Sequence, residues 1–459
     1  MKSVLVLGAG LVCRPLVRYL LDRGYSVTVA SRTASKAEAL IAGHPKGRAV
    51  AAVTEDSSAI DRLVASHDLS VSLLPAPQHP LVAELCIKHE KHMVTTSYVS
   101  PKMRGFDVAA KSAGLTILNE IGVDPGIDHM SAMRIIDDVK KRGGRVTSFR
   151  SYCGGLPAPD ANNNPFGYKF SWSPRGVCTA GKNSAVYRQD GREVTVPGPD
   201  LFTHYKTFRV EGIGDLEAYP NRDSLSYIDV YGLGDIETMF RGTFRYPGWC
   251  DTLKKIVDLG LLDETPTNYP PGTTYAQYTA RFLRTPHGSG GPFGEGQLRR
   301  AVAEQLNLPE SSPILDRLAW LGLFSDELIV PIGVSTTPLD VLAVRMEQKM
   351  QYAPGERDMI VMRHEFVATF PNGKGESITS TLIDYGQPNG DTSMARTVSL
   401  PAAIGARLIL TRKIARTGVC VPVTPDLYNA VLDELAELGI RMKETTAPVV
   451  ETVALKPGL

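Results

Sequence analysis

An excess of charge of one sign is missing from this chain of 459 residues. It carries 50 lysine and arginine residues against 49 aspartate and glutamate residues, a formal net charge of +1. Proteins that bind nucleic acid or a membrane surface usually show a basic excess. The balance therefore predicts no nucleic-acid partner and no membrane partner, while a local basic pocket for an acidic small molecule remains compatible with it.

Long apolar runs are also missing. No segment of 18 apolar residues occurs, so no membrane-spanning helix is predicted. The sequence enters an apolar strand pattern at residue 3, without the pattern of a signal or transit peptide. We therefore expect a cytoplasmic protein.

Cysteine is scarce and unpatterned. None of the six cysteines forms a C-x-x-C pair or lies at zinc spacing from histidine, so reduced thiols and no metal site are expected. The six are Cys13, Cys86, Cys153, Cys178, Cys250 and Cys420.

Short apolar segments alternate with helical patterns over residues 3–120. Strands of this kind, buried on both faces and joined by crossover helices, form a doubly wound parallel sheet of the α/β class. A capping box, in which Ser35 and Glu38 satisfy each other's free backbone N–H groups, is predicted for the second helix. The six strand candidates are residues 3–7, 26–30, 49–53, 70–74, 93–97 and 115–119.

The pattern changes from about residue 124, where aromatic residues, proline and glycine increase. Residues 265–296 are rich in proline and glycine; the run HGSGGPFGEG lacks a following Gly-Lys-Ser/Thr and indicates a loop, not a phosphate-binding turn. Helical patterns follow over 297–351, and a hairpin with the turn Asn372-Gly373 is predicted within 358–386. A helix begins at Pro425. A parallel-sheet domain followed by an antiparallel one suggests a cofactor domain and a substrate domain.

The first strand ends in Gly8-Ala9-Gly10 and leads into a helical pattern. This context favours a dinucleotide-binding turn, because a side chain at either glycine would keep a pyrophosphate from the helix N-terminus. The third glycine of the usual motif is replaced by Cys13, which leaves the packing of the first helix open. The alternative is a Rossmann-like domain that binds no dinucleotide.

The carboxylate that usually follows these glycines by about 20 residues, and binds the adenosine ribose, is absent. That place reads Ser31-Arg32-Thr33, with Lys36 one turn further on. A guanidinium group binds a phosphate with two hydrogen bonds, whereas a carboxylate would repel it. The sequence therefore predicts NADP(H) as the cofactor; the alternative is that Arg32 is an ordinary solvated side chain.

Several long motifs together resemble the saccharopine reductase family, the glutamate-forming saccharopine dehydrogenases. The resemblance covers nearly the whole chain and is weakest across 260–310. The motifs are TTSYVSP (95–101), NEIGVDPGIDHM (119–130), SYCGGLPAP (151–159), NPFGYKFSWSPRG (164–176), YPNRDS (219–224) and RGTFRYPG (241–248).

The resemblance implies an activity and a domain organisation. Members reduce, with NADPH, the imine between L-glutamate and L-2-aminoadipate 6-semialdehyde to saccharopine, reversibly, in the aminoadipate route of lysine metabolism. They act on small-molecule substrates and form homodimers. The implied domains are a Rossmann NADP(H)-binding domain (1–123, completed by 393–459), a mixed-sheet α+β substrate and dimerisation domain (124–260 with 352–392) and a small helical domain (261–351).

The resemblance also implies the site residues. The cofactor-binding residues are Gly8, Gly10, Leu11, Val12, Ser31, Arg32, Thr33, Val53, Thr54, Leu74, Thr96, Ser97, Val123, Asp124, Ser171, Trp172 and Ser173. The substrate-binding residues are Ser97, Tyr98, Asp124, Arg222, Thr243, Phe244 and Arg245, and the candidate catalytic residues are Asp124, Cys153 and Tyr98.

Each of these roles has a structural alternative. Asp124 is a candidate for proton transfer or for binding an amino group, or else the N-cap of a helix. Tyr98 is otherwise an aromatic residue that packs between domains, and Cys153 an inert buried thiol. The spacing of Asp124, Asp128 and His129 matches no metal motif.

Two further expectations concern the second half of the chain. The arginines Arg222 and Arg245 suit the carboxylates of saccharopine, although an arginine taken alone is more often a partner in a surface ion pair. The segment from Lys169 to Arg175 is a candidate for covering the nicotinamide and excluding water. The alternatives for the whole protein are a related NADPH-dependent reductive aminase for carboxyspermidine-type polyamine precursors and a dinucleotide-binding protein without activity.

Overall fold

The structure, a computed structural model, describes residues 2–284, 295–330, 336–371 and 373–449. The chain divides into two compact units. The first unit contains residues 1–148, 229–234 and 359–459, and the second contains residues 149–228 and 235–358. The three-domain division implied by the family resemblance remains a prediction.

The sixteen strands of the described residues are short except for β7, β13 and β14. They are β1 (Ser3–Leu7), β2 (Ser26–Ser31), β3 (Gly47–Ala51), β4 (Leu69–Ser72), β5 (His92–Thr95), β6 (Thr116–Leu118), β7 (Arg145–Pro157), β8 (Ala185–Gln189), β9 (Arg192–Val196), β10 (Lys206–Val210), β11 (Gly214–Pro220), β12 (Thr238–Arg245), β13 (Asp358–Thr369), β14 (Gly375–Tyr385), β15 (Gly418–Cys420) and β16 (Lys443–Pro448).

Sixteen α-helices alternate with these strands within the same residues. They are α1 (Arg14–Asp22), α2 (Ala34–Ile41), α3 (Ser57–Ala65), α4 (His79–Lys88), α5 (Pro101–Arg104), α6 (Asp107–Ser112), α7 (Ile127–Lys141), α8 (Pro174–Ala180), α9 (Ser226–Val230), α10 (Trp249–Leu259), α11 (Tyr275–Ala280), α12 (Glu295–Gln305), α13 (Pro313–Trp320), α14 (Pro338–Lys349), α15 (Ser393–Leu410) and α16 (Pro425–Glu437).

The first unit contains a parallel sheet with the strand order β15-β6-β5-β4-β1-β2-β3. Its central strands are apolar and buried on both faces, as Val4 to Leu7 of β1 illustrate. The predicted doubly wound parallel sheet is confirmed, and a seventh strand from the C-terminal part of the chain, β15, pairs with β6. The order reverses between β1 and β4, and ligands of such sheets bind at the carboxyl ends of the strands there.

The predicted capping box of α2 is wrong. The helix begins at Ala34 and its N-cap is Thr33, whose side chain makes no capping hydrogen bond. Ser35 is already inside the first turn, so its hydroxyl no longer occupies the position from which an N-cap side chain reaches the free N–H groups.

The first unit also contains an antiparallel group, β13-β14-β16. Strands β13 and β14 form the predicted hairpin, with register from Met359–Tyr385 to Thr369–Gly375, while Asn372 of its turn lies outside the described residues. The predicted C-terminal helix is confirmed as α16, with Pro425 at its first position. Pro401 lies inside the largely buried α15.

In the second unit, the strand order is β10-β11-β12-β7, with β8 beside β12 and β9 beside β8. Most of the helical pattern predicted for 297–351 folds as α12, α13 and α14. Residues 287–294 of the predicted HGSGGPFGEG loop lie outside the described residues, and its last two residues begin α12. Within the described ranges, the helices are all too short or too polar to cross a membrane.

Candidate active site

The turn between β1 and α1 contains two glycines with different surroundings. Gly8 has a φ of +115°, and a Cβ there would meet the carbonyl oxygen of Leu73 at 3.0 Å. Gly10 is exposed, and a Cβ there would meet nothing within 4 Å. The chain itself therefore requires glycine at position 8, whereas only an approaching ligand would require it at position 10.

Cys13 precedes α1 and takes the place of the third glycine. Its side chain is 1% exposed, and burial raises the pKa of its thiol to about 11, so the thiol is neutral. A small uncharged side chain thus fills the space beside the helix start. Leu11 is two-thirds exposed and Val12 is half-buried, so this turn presents an apolar surface to solvent.

The end of β2 presents an unpaired cation. Arg32 is exposed and forms no hydrogen bond or ion pair within the described part of the chain. Thr33 is exposed, Ser31 is half-buried, and the Ser31 hydroxyl accepts a weak hydrogen bond from the Thr33 N–H at 3.4 Å. Lys36 is exposed on the first turn of α2.

The other predicted cofactor residues of the first unit follow the same sheet edge. Val53 and Thr54 come after β3, Leu74 after β4, Thr96 and Ser97 after β5, and Val123 after β6. The carboxyl ends of parallel strands meet at one edge, so the structure gathers these residues with the glycine turn and with Arg32.

Tyr98 and Asp124 are brought together at this edge. The Tyr98 hydroxyl donates a hydrogen bond of 3.0 Å to Asp124 Oδ1. Asp124 is joined to Pro125 by a cis peptide bond and is half-buried. The N-cap of α7 is Gly126, not Asp124, so the capping alternative for Asp124 is wrong. Its carboxylate instead lies beside a phenol that holds it in place.

Glu120 secures the loop that carries Ser97 and Tyr98. Its backbone N–H donates to the Ser97 carbonyl oxygen at 3.1 Å, and its carboxylate accepts a hydrogen bond from the Val99 N–H at 2.9 Å. The second carboxylate oxygen lies 2.9 Å from His129 Nε2. Glu120 is 5% exposed and has a φ of +56°. Glu120 is absent from the predicted site residues, although an acidic residue directly after the predicted strand 115–119 was a usable signal.

His79 is a second residue that the sequence analysis missed. It begins α4, directly after the loop that follows β4, and its side chain contacts the Ser97 hydroxyl. The usable signal was a histidine at the start of a helix near the carboxyl edge of the sheet. Asp128 and His129 are buried next to Glu120, and no group of His, Cys, Asp and Glu in the described residues is arranged to hold a metal ion.

The second unit contains a buried cation without an acidic partner. Arg245, at the end of β12, is 4% exposed and donates through Nη1 to the Phe244 carbonyl oxygen at 2.7 Å. Its guanidinium carbon lies 5.0 Å from the ring centre of Tyr168 and 5.4 Å from that of Trp249. Its Nε has no hydrogen-bond partner, and no described carboxylate forms an ion pair with it.

The acid nearest to Arg245 along the neighbouring strand is already occupied. Glu217 of β11 pairs with Arg245 in the sheet register, but its carboxylate accepts hydrogen bonds from the N–H groups of Gly248 and Cys250, at 2.6 and 2.9 Å. Burying an isolated charge costs several kcal/mol. A protein retains such a cation where a ligand supplies the missing anion.

The other predicted substrate residues of the second unit differ in exposure. Thr243 is half-buried on β12, and Phe244 is fully buried against Tyr152. A Cβ at Gly154 would meet the Phe244 carbonyl oxygen at 2.7 Å, so β7 and β12 are in close contact one residue after Cys153, which is 8% exposed. Arg222 is exposed two residues after the end of β11, with a φ of +51°.

The segment before α8 has structural contacts of its own. Ser173 caps α8 by accepting a hydrogen bond from the Gly176 N–H at 3.2 Å, and the Trp172 indole donates to the Tyr168 hydroxyl at 3.2 Å. Lys169 is buried in an ion pair with Glu356. Ser171 is 4% exposed, and its hydroxyl has no partner among the described residues. The predicted contact of this segment with a cofactor remains a prediction.

Two family models match the chain. The saccharopine dehydrogenase NADP binding domain matches residues 4–118, and the saccharopine dehydrogenase C-terminal domain matches residues 122–440. Together the matched ranges include all or nearly all of every strand listed above except β16, and they include the glycine turn, Arg32, Asp124 and Arg245.

Relatives match over nearly the full length. The saccharopine dehydrogenase (NADP+, L-glutamate-forming) of Schizosaccharomyces pombe is 42% identical over 97% of this chain and 99% of its own. The mitochondrial alpha-aminoadipic semialdehyde synthase of Bos taurus is 38% identical over 96% of this chain, but over only 47% of its own. The apo structure of saccharopine dehydrogenase (L-Glu forming) from Saccharomyces cerevisiae aligns with a TM-score of 0.86 and 38% identity, over 97% of this chain and all of that one. The chain therefore belongs to the saccharopine dehydrogenase family.

Proposed function

We propose that this protein interconverts saccharopine with L-glutamate and L-2-aminoadipate 6-semialdehyde, using NADP(H), in lysine metabolism. The observation that carries the proposal is Arg245, a buried guanidinium group without an acidic partner in the described structure. Saccharopine has three carboxylates, so it supplies the kind of anion that this site lacks. The full-length match to relatives named for this reaction supports the same substrate.

The first unit fits the cofactor. Exposed Gly10 leaves open space where the pyrophosphate reaches the start of α1, and Arg32 offers an unpaired fork for the 2′-phosphate. Leu11 and Val53 are exposed apolar side chains at the same edge and suit the faces of an adenine ring. When bound, NADP(H) accepts or supplies the hydride.

The chemistry of the substrate needs binding, orientation and proton transfer from the chain. In the oxidative direction, hydride loss leaves an imine, water adds to its carbon, and the carbinolamine then separates into the aldehyde and the amine of glutamate. We assign the protons of these steps to Asp124, oriented by its hydrogen bond from Tyr98. We assign the carboxylates to Arg245 and Arg222, with Thr243 and Phe244 in the same segment, and keep Cys153 as a candidate in proton transfer.

The test is the formation of NADPH, followed by its near-ultraviolet absorbance, with purified protein and saccharopine. We expect reduction of NADP+ to be at least tenfold faster than that of NAD+ at equal concentrations. Faster reduction of NAD+ would contradict the role of Arg32. No reduction of either would contradict the substrate, and carboxyspermidine-type amines would be the next substrates to try; binding of NADPH without any turnover would support the non-enzymatic alternative.

We also propose that the protein is a cytoplasmic homodimer. Support for the compartment comes from the six cysteines, none of which is in a disulfide and five of which are buried. The family resemblance supports the homodimer. Sedimentation equilibrium of the purified protein tests the assembly, and a mass of one chain of 49.8 kDa would contradict it.

A further inference from the structure

The hydroxyl of Ser97 forms a hydrogen bond with the buried side chain of His79. His79 Nε2 lies 2.7 Å from the Ser97 hydroxyl and 3.3 Å from the Thr95 hydroxyl. On the other side of the ring, Nδ1 lies 2.9 Å from the Ser72 hydroxyl. His79 is 2% exposed, whereas Ser97 is half-buried and follows β5 at the carboxyl edge of the sheet.

The ring is uncharged at neutral pH, because burial lowers the pKa of His79 to about 4. A neutral imidazole has one N–H and one acceptor nitrogen. If Nε2 carries the hydrogen, the Ser97 oxygen accepts it and the Ser97 hydrogen is directed elsewhere. If Nδ1 carries it, Ser97 donates to the ring and its lone pairs are directed elsewhere. In both tautomers the ring fixes the orientation of the Ser97 hydroxyl.

Backbone and side chain of Ser97 are held by different residues. The Ser97 carbonyl oxygen accepts a hydrogen bond from the Glu120 N–H at 3.1 Å and its N–H donates to the Thr95 hydroxyl at 3.4 Å, whereas the Ser97 hydroxyl is the group that contacts His79 directly. Loss of the ring nitrogen would therefore release the hydroxyl and leave the backbone of the loop in place.

We propose that His79 is a positioning residue that orients the Ser97 hydroxyl for the cofactor and substrate through the chain Ser72–His79–Ser97. This inference rests on the proposed function, since it assigns to Ser97 a contact in that reaction. His79 touches neither substrate nor cofactor in this assignment; it acts through Ser97, and Ser72 holds the far side of the ring.

Two amide substitutions of His79 separate a positioning role of this residue from a purely structural one. The glutamine amide in H79Q reaches the position of Nε2 and keeps the bond to Ser97, whereas the shorter amide in H79N reaches the position of Nδ1 and keeps only the bond to Ser72. One lost hydrogen bond is worth about 1 kcal/mol or slightly more, or roughly tenfold in rate. We expect H79N to lower kcat about tenfold and H79Q to retain most of the activity.

Coupling to Ser97 completes the test. We expect S97A to lower kcat as H79N does, and the double variant S97A/H79N to be no slower than S97A alone, because the bond is already absent. Equal activities of H79N and H79Q, or a double variant slower by the product of the two single effects, would overturn the proposal. His67, a half-buried histidine bonded to the Thr28 hydroxyl at 2.8 Å, provides the control H67N, which should leave kcat unchanged.

If both His79 variants lower the melting temperature strongly, S72A replaces them. S72A keeps the His79 ring but removes the Ser72 hydroxyl that is hydrogen-bonded to its Nδ1. We therefore expect kcat to fall in the wild-type background and not in the S97A background. An unchanged kcat, or an equal fall in both backgrounds, would overturn the proposal. Turnover of saccharopine by the wild-type protein is measured first, so that failure of the proposed function is recognised separately.

Discussion

At the scale of single residues, Arg245 is the residue whose surroundings make most sense with a ligand. Its guanidinium group is buried among aromatic rings and forms no ion pair with a described carboxylate, because the carboxylate of its register neighbour Glu217 accepts backbone hydrogen bonds instead. Cation–π contacts stabilise such a charge by about 0.5–2 kcal/mol each, less than the several kcal/mol that burial of an ion costs. The arginine thus lowers stability in exchange for binding.

R245M is expected to separate stability from binding. Methionine fills a similar volume and contacts aromatic rings well, so the melting temperature should stay within a few degrees of the wild-type value or rise. The KM for saccharopine should increase at least about thirtyfold, because the loss of a buried partner weakens binding of a charge by about 2–5 kcal/mol. Thermal melts and initial rates at varied saccharopine provide the measurements.

R245K is the matched control for charge. Lysine keeps the cation but not the planar fork, so its KM should lie between those of the wild type and R245M. An R245M protein that is folded and has an unchanged KM would remove Arg245 from the substrate site.

Arg32 should determine the choice of cofactor, since it is exposed, unpaired and at the end of β2. R32A should raise the KM for NADPH tenfold or more, the scale of one lost charge-assisted hydrogen bond. The KM for NADH should barely change, because NADH lacks the 2′-phosphate. K36A, which changes a cation on the same turn, shows how much of the effect is general charge; equal losses with both cofactors would contradict the assignment.

At the scale of the elements, the β1–α1 turn contains one glycine that the fold requires, Gly8, and one that only a bound cofactor would require, Gly10. G8A should lower the melting temperature, because a φ of +115° is unfavourable for alanine and its Cβ would crowd the Leu73 carbonyl oxygen. G10A should leave the melting temperature nearly unchanged, since its Cβ meets no protein atom within 4 Å. Fluorescence titration with NADPH should nevertheless show weaker binding to G10A.

Either variant, G8A or G10A, can contradict these assignments. Unchanged NADPH affinity in G10A would mean that the pyrophosphate does not approach this glycine. A G8A variant as stable as the wild type would mean that the turn adopts another conformation.

Six of the seven strands of the parallel sheet were predictable from the sequence, because each is a short, mainly apolar run between helices, whereas β15, which comes from the C-terminal part of the chain, was not predicted. The capping box at Ser35 was not, because the start of a helix depends on one backbone position that a pattern does not define; the N-cap is Thr33. Gly8, Arg32 and Asp124 were accessible through motifs. His79 and Glu120 offered only a weak signal, an ionisable side chain near the carboxyl end of a strand, because their roles come from hydrogen bonds to residues 18 and 21 positions away along the chain.

At the scale of the whole molecule, the arginine predicted to select the cofactor and the arginines predicted to bind the substrate lie in different compact units. The glycine turn and Arg32 belong to the first unit, and Arg245 and Arg222 belong to the second. Two ligands that bind different residues stabilise the folded chain separately, each by about 2.7 kcal/mol at a concentration of one hundred times its Kd. Thermal shifts with NADP+ and with saccharopine therefore report on Arg32 and on Arg245 separately, since each arginine is assigned to one ligand only.

The experiment measures the thermal shift of each variant, R32A and R245M, with each ligand in turn. NADP+ at one hundred times its wild-type Kd should raise the melting temperature of the wild type and of R245M equally, and that of R32A by about half as much or less, because a tenfold weaker Kd lowers the stabilisation from about 2.7 to about 1.4 kcal/mol. Saccharopine should raise the melting temperature of R32A as much as that of the wild type, and that of R245M by about a third as much or less, because a thirtyfold weaker Kd lowers the stabilisation to about 0.9 kcal/mol. If R32A abolished both shifts while remaining folded, binding of saccharopine would depend on prior binding of the cofactor, and the saccharopine shift would then have to return for R32A at a saturating NADP+ concentration. A loss of the NADP+ shift in R245M would contradict the assignment of Arg245 to saccharopine alone, because Arg245 would then contribute to the affinity of the cofactor.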